Sequence, residues 1–207
     1  MALEYEYSFY DFNKKNILSK IKTLKFKYKG SFLFKVQIFI HPLNKSSTYI
    51  RVRDEGHRIT MTYKFLSDTS FDEETEIVVD NFDSAVKLLE SVGCVKKYYY
   101  EKIREIWYNN NTEIVFDTNP GNIERMEVES TSKKELNAIL KELELNKKNH
   151  DHVDKGFELF GIEIPKNKDL TFKTVKKVLL PLVKKNKKEF INLVTEQLNK
   201  YNKLLKL

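Results

Sequence analysis

Ile50-Arg51-Val52-Arg53 sets two arginines two positions apart, each preceded by a β-branched apolar residue. Side chains at i and i+2 share one face of a strand, so these residues describe one charged and one apolar surface. Outward from this stretch the same spacing recurs at Glu4/Glu6, Glu74/Glu76, Lys102/Arg104 and Glu127/Glu129, while Lys64 and Asp117 stand alone in similar segments. Between and around them sit Tyr5, Tyr7, Met61, Tyr63, Ile77, Ile103, Ile114, Phe116, Met126 and Val128. Each segment therefore reads as a strand with a charged face and an apolar face, and together they predict a closed sheet with a charged interior.

A single amphipathic strand is ordinarily half solvated. Solvent-facing strands, however, interleave Lys, Glu and Thr, because like charges side by side repel. Here the paired charges segregate into acidic strands and basic strands. That segregation suits a site holding a polyphosphate together with the metal ions that neutralise it.

In their order along the chain these segments resemble the CYTH, or triphosphate tunnel metalloenzyme, family from about Leu3 to Phe160. The opening ExExK strand of that family matches Glu4-Tyr5-Glu6-Tyr7-Ser8, and its RxR strand matches Arg51-Val52-Arg53. Thr60 to Lys64, Glu74-Thr75-Glu76, Lys102-Ile103-Arg104, Glu113 to Asp117 and Glu127-Val128-Glu129 match the strands that follow. Each motif is weak alone; seven in order are specific. Ser8 departs from the pattern, which has Lys there, and a serine is a poor general base near neutral pH.

The resemblance implies an α+β fold: an antiparallel eight-stranded closed β-barrel with surrounding helices and a C-terminal helical extension. It implies a divalent-metal-dependent phosphohydrolase acting on a nucleoside triphosphate, an RNA 5'-triphosphate or inorganic triphosphate. The alternatives are a class IV-like adenylyl cyclase, which makes cyclic AMP and pyrophosphate from ATP, and a non-catalytic triphosphate-binding module. A triphosphate enters a low-dielectric tunnel only if cations replace its lost water. Arg51, Arg53, Lys64, Lys102 and Arg104 are the substrate-binding candidates, arginine gripping two phosphate oxygens and lysine acting as a point charge. Glu4, Glu6, Asp117, Glu127 and Glu129 are the candidate metal ligands. Glu74 and Glu76 hold a second ion or orient basic side chains. Lys64, Lys102, Glu4 and Glu6 are the catalytic candidates, with Lys64 or Lys102 standing in for the lysine missing at Ser8. Oxygen ligands without His or Cys favour Mg2+ or Mn2+.

Composition sets wider bounds. The 207 residues, 41% hydrophobic and 13% aromatic, suffice for one substantial core. The longest apolar stretch, Val178 to Val183, falls far short of the ~20 residues of a membrane span, and residues 1–9 lack a basic region followed by an apolar core. These readings predict a soluble cytoplasmic protein, a monomer or homodimer. The lone Cys94 reads as a small packed residue at a helix end. His41, His57, His150 and His152 fall in expected loops or helix edges and receive no role, and no glycine-rich phosphate loop occurs. Tyr98, Tyr99 and Tyr100, beside Lys96 and Lys97, read first as packing and secondarily as a surface for stacking on bases.

The net charge of +7 is uneven: from Lys166 onward 12 lysines face three acids. A polar run around Pro165 predicts a boundary, giving a tunnel domain at 1–162 and a basic helical extension at 163–207 packed on or beside the barrel. RNA is an expected partner of that tail. Helices are expected at Asn13 to Lys25, at Ser84 to Val92 with Asp83 or Ser84 as cap, at Lys133 to Leu145 with a capping box, and at Val153 to Phe160. A further strand is expected at Ser31 to Ile40, and the tail as a helical hairpin or bent helix broken near Asn186.

Overall fold

The computed structural model describes residues 5–43, 48–65, 73–146, 155–163 and 168–206. Glu4, His150 and His152 lie outside the described residues. Eight strands form one antiparallel sheet: β1 (Tyr5–Phe9), β2 (Lys27–Ile40), β3 (Thr48–Asp54), β4 (Ile59–Phe65), β5 (Glu73–Val79), β6 (Val95–Asn109), β7 (Thr112–Thr118) and β8 (Arg125–Ser130). Their order across the sheet is β1-β8-β7-β6-β2-β3-β4-β5. With its six helices among the described residues the fold is α+β, as the resemblance implied.

The sheet curls into a half-barrel and does not close. Strands β1 and β5 are its two edges and share no ladder among the described residues. The expectation of a closed barrel is corrected to an open one, and the charges supply a physical reason. Glu6 stands on one edge strand and Glu74 and Glu76 on the other, so a seam between them would bring like charges together, which destabilises a strand pair.

Helices cover the convex face. Helix α1 (Lys14–Thr23) starts where Asn13 accepts a hydrogen bond from the Asn16 N–H at 3.1 Å, and it buries Ile17 and Ile21. Helix α2 (Phe82–Ser91) is capped by Asn81, which accepts from the Ser84 N–H at 2.8 Å. Asn81 displaces the expected Asp83 and Ser84 because its extended backbone aims its side chain back at the first turn. Helix α3 (Lys133–Glu142) begins at Ser132, as the capping-box spacing predicted.

Helices α1 and α3 pack on β1, β7 and β8 through Phe9, Ile17, Ile21, Phe116, Met126, Leu136 and Leu140. Helix α2 covers β2 and β3 through Phe39, Val52, Ala85, Val86, Leu89 and Cys94. Burying each large apolar side chain is worth about 1.5–3 kcal/mol, so these convex-face clusters contribute much of the stability, while the concave face sets its charges around a smaller apolar cluster.

After the short α4 (Lys155–Glu158), the tail comprises α5 (Val175–Leu179), a 3-10 turn at Leu180–Leu182 and α6 (Lys187–Leu204). The break falls at Asn186, whose backbone is left-handed at φ 50°. Strand β7 pairs with β6 only from Ile103 onward, and residues 169–172 cover the part of the β6 edge that β7 leaves open. There the Leu170 N–H donates to the Tyr99 carbonyl at 2.9 Å, and the Glu101 N–H donates to the Leu170 carbonyl at 3.1 Å. Phe172 and Tyr201 stack 5.0 Å apart against Ile103, and Gln197 accepts from the Gly121 N–H at 2.8 Å. Among the described residues no helix is long and apolar enough to cross a membrane.

Candidate active site

Strand register decides which side chains share the concave face. Glu6 and Ser8 pair with Glu129 and Glu127, while Glu113 and Asp117 pair with Glu129 and Arg125. Arg104 lies opposite Asp117, and Lys102 and Arg104 lie opposite Phe34 and Phe32. Arg51 and Arg53 pair with Thr62 and Thr60, and Thr62 and Lys64 pair with Glu76 and Glu74. Every described residue expected in the site therefore falls on one surface. Its charge layout follows from strand order: the basic strands β6, β3 and β4 lie between the carboxylates of β1, β8 and β7 on one side and those of β5 on the other, with Arg125 of β8 set among the acids.

An aromatic ring forms the floor. Phe34, 2% exposed, packs with Ile106 and Val115, and the charged ends of Arg53, Lys102 and Arg104 stand 5.7, 5.7 and 5.6 Å from its ring centre. The face of the ring attracts all three cations and spaces them around one apolar centre.

On the β6–β8 side Asp117 is fully buried. Lys102 donates to it at 2.7 Å, Arg104 grips it with two hydrogen bonds of 2.7 and 2.6 Å, and Arg125 stands at 3.5 Å. Arg104 and Arg125 also pair with Glu127. Burial alone would raise the Asp117 pKa, but Arg104 and Lys102 hold it well below the usual carboxylate range. Burial, followed by the charge of Arg104, pushes Lys102 down to about 8 against the pull of Asp117.

The β3–β5 side is looser. Lys64 meets Glu74 at 2.7 Å, Thr62 donates to Glu76 at 2.8 Å, and Arg53 lies between Glu55 at 2.5 Å and Glu76 at 3.5 Å. Arg51 reaches Glu74 only at 4.0 Å, and its buried Nε has no hydrogen-bond partner among the described residues.

Glu6, Glu129 and Glu113 form a row of carboxylates on three adjacent strands. Burial, reinforced by Glu127, Glu6 and Glu113 against Arg104, pushes Glu129 up to about 8. Solvent exclusion and the charge of Glu127 push Glu6 up to about 7. Glu6 borders water at the sheet edge, where screening weakens such effects, so Glu129 is the firmer of the two.

The donor chemistry of this row, hard oxygens with excess negative charge, fits a divalent cation such as Mg2+ or Mn2+. Asp117 and Glu127 are occupied by arginines and lysine instead. Among the described residues no three acidic, histidine or cysteine side chains already converge as a metal cage. Ser8, 3% exposed, donates to Glu6 at 3.2 Å and faces Glu127 across the strand pair, beside this row.

Three participants escaped the sequence reading. Arg125 is legible in the spacing, since Arg125, Glu127 and Glu129 alternate onto one face, but its sign differs from that of the acidic pair it precedes. Glu113 shares the face of Asp117 by the same spacing. Glu55 continues the two-residue spacing of Arg51 and Arg53 just past the end of β3, in the turn to β4, and its 5% exposed side chain binds Arg53 and, at 2.7 Å, Arg58.

Residues 3–160 match the family model described as CYTH domain. A comparison with curated proteins finds no match. Among solved structures, the PH1012 protein from Pyrococcus horikoshii is 22% identical with a TM-score of 0.62, the match covering 72% of this chain and 94% of that one. The PH1819 protein from the same organism is 22% identical with a TM-score of 0.58, covering 75% and 98%. An adenylate cyclase-like protein from Vibrio parahaemolyticus is 16% identical with a TM-score of 0.64, covering 75% and 98%. These likenesses show a shared fold.

Proposed function

Because this chain belongs to the CYTH domain family, we propose that it is a divalent-metal-dependent phosphohydrolase acting on a triphosphate. The observation that carries the reading is Arg51: a guanidinium on the concave face whose nearest carboxylate stands at 4.0 Å and whose buried Nε has no partner among the described residues. A buried cation left so weakly paired is costly unless an anion completes it. Arg53, Lys64, Lys102 and Arg104 share its surface, enough positive charge to draw a triphosphate out of water.

In this reading Arg51 and Arg53 grip phosphate oxygens from β3, while Lys64 and Lys102 act from the flanking strands. Asp117 and Glu127 hold Arg104 and Arg125 in place. Glu6 and Glu129, with Glu4, would hold the divalent ion, and Glu74 and Glu76 orient Lys64, Arg51 and Arg53. When bound, the ion polarises the phosphate under attack and offsets the charge of its oxygens. In the absence of a lysine at position 8, Lys102, whose pKa is pushed down to about 8 by burial, or Lys64 would orient the attacking water.

One experiment tests this. Purified protein is incubated with ATP, tripolyphosphate and RNA bearing a 5'-triphosphate, each with Mg2+ or Mn2+, and the products are identified. Orthophosphate supports the hydrolase. Cyclic AMP with pyrophosphate would transfer the site to a cyclase, and binding without turnover would make it the non-catalytic module that Ser8 raises.

A further inference from the structure

The run Tyr98-Tyr99-Tyr100 is divided by the pleat. Tyr99 turns to the convex side, where its hydroxyl donates to Glu101 at 3.4 Å and its ring meets Phe82 edge-on at 6.5 Å. That is packing. Tyr98 and Tyr100 continue the line of Lys102 and Arg104 on the concave face, two and four positions further along β6.

Register locates them against the cations. Ile38 of β2 pairs with Tyr98 on one side and Arg51 on the other, and Val36 pairs with Tyr100 and Arg53. Each tyrosine thus faces one arginine across a single intervening strand, about 10 Å away at the backbone. The two rings lie 6.0 Å apart, tilted by 35°, and form a continuous apolar surface. Tyr100 is half-buried, and Tyr98 is 38% exposed. Burial pushes the Tyr100 hydroxyl up to about 12, opposed by the nearby charge of Arg51, so the ring stays neutral beside the cations. A ligand made of phosphates alone has no use for an aromatic wall here, whereas a ligand joining a triphosphate to a flat apolar group would cover it.

We infer that Tyr98 and Tyr100 form a stacking shelf that selects a nucleoside triphosphate, its base lying on the two rings while its phosphates reach Arg51 and Arg53. The inference rests on the triphosphate reading above and adds to it the residues that set specificity. Base–aromatic stacking tolerates any base, so discrimination is expected between nucleotide and inorganic triphosphate rather than among the four bases.

The test is calorimetric binding of ATP and of inorganic tripolyphosphate, each with Mg2+, to the full chain and to Tyr98→Ala, Tyr98→Phe and Tyr100→Ala. Tyr98→Ala is expected to weaken ATP at least about tenfold more than tripolyphosphate, and Tyr98→Phe to restore the ratio, since a phenyl ring stacks as well. Tyr98 is the exposed member, so its variants carry the test even if Tyr100→Ala fails to fold. Equal losses for both ligands, or no loss for either, would overturn the shelf while leaving the triphosphate site standing. If the unaltered protein bound neither ligand, the triphosphate reading would fail, and the shelf with it.

Discussion

Arg104 and Asp117 face each other in register across β6 and β7 and are joined by two hydrogen bonds of 2.7 and 2.6 Å, with the carboxylate fully buried. Asp117, a candidate metal ligand by sequence, is also the anchor of an arginine. Asp117→Ala would leave the buried Lys102 without its carboxylate and Arg104 and Arg125 with Glu127 alone, and an expected loss of about 3–5 kcal/mol follows. Urea denaturation with and without Mg2+ checks this. A loss that appeared only in the presence of the metal would return Asp117 to the role of ligand.

Arg51 should behave in the opposite way. Its nearest carboxylate among the described residues is 4.0 Å away, so Arg51→Ala is expected to leave the thermal midpoint nearly unchanged. At fixed Mg2+ it should weaken tripolyphosphate binding by about 2–5 kcal/mol, the scale for stripping one partner from a desolvated charge pair. Calorimetric titration of the variant measures both ligand affinity and, by scanning, stability.

Glu129 predicts a pH dependence of the metal-free protein. Its pKa is raised from 4.5 to about 8, so the folded state holds a proton that the unfolded state releases. Its contribution to stability is fully present below about 4.5 and is lost as pH rises through about 8. Unfolding midpoints measured across that window without divalent ions should fall, and Glu129→Gln should flatten the slope. The same variant is expected to raise the Mg2+ concentration needed for activity; an unmoved midpoint would remove Glu129 from the proposed ion site.

Ser8→Lys places an ammonium on the concave face opposite Glu127 and beside Glu6. Higher turnover on tripolyphosphate would identify a lost catalytic group. Lower turnover, with the fold and Mg2+ dependence intact, would assign that role to Lys102 or Lys64.

The proposed recruitment of RNA by the tail needs a gentler test than deletion, because Phe172, Phe190 and Tyr201 are buried. Lys176, Lys177, Lys187 and Lys188 are exposed on the same segment. Reversing these four to Glu should weaken RNA binding and flatten its salt dependence, since fewer counterions are released. Filter-binding at low and moderate salt measures it, and an unchanged slope would reject the recruiting role.

The two faces of every strand were legible in the sequence because the pleat is local. Arg51 and Arg53, or Lys102 and Arg104, share a side whatever else the chain does. Helix starts were nearly as clear, although Asn81 took the cap expected of Asp83 or Ser84, a choice made by the backbone entering α2. Tertiary structure alone decided strand order, and with it the placing of the basic strands β6, β3 and β4 between carboxylate-bearing strands of an open sheet. It alone paired Asp117 with Arg104 and Arg125, set Phe34 beneath three cations and turned Tyr98 and Tyr100 toward Arg51 and Arg53. Such partners come from strands far apart in the chain, and a two-residue repeat carries the direction of a side chain but no information about which strand it will meet.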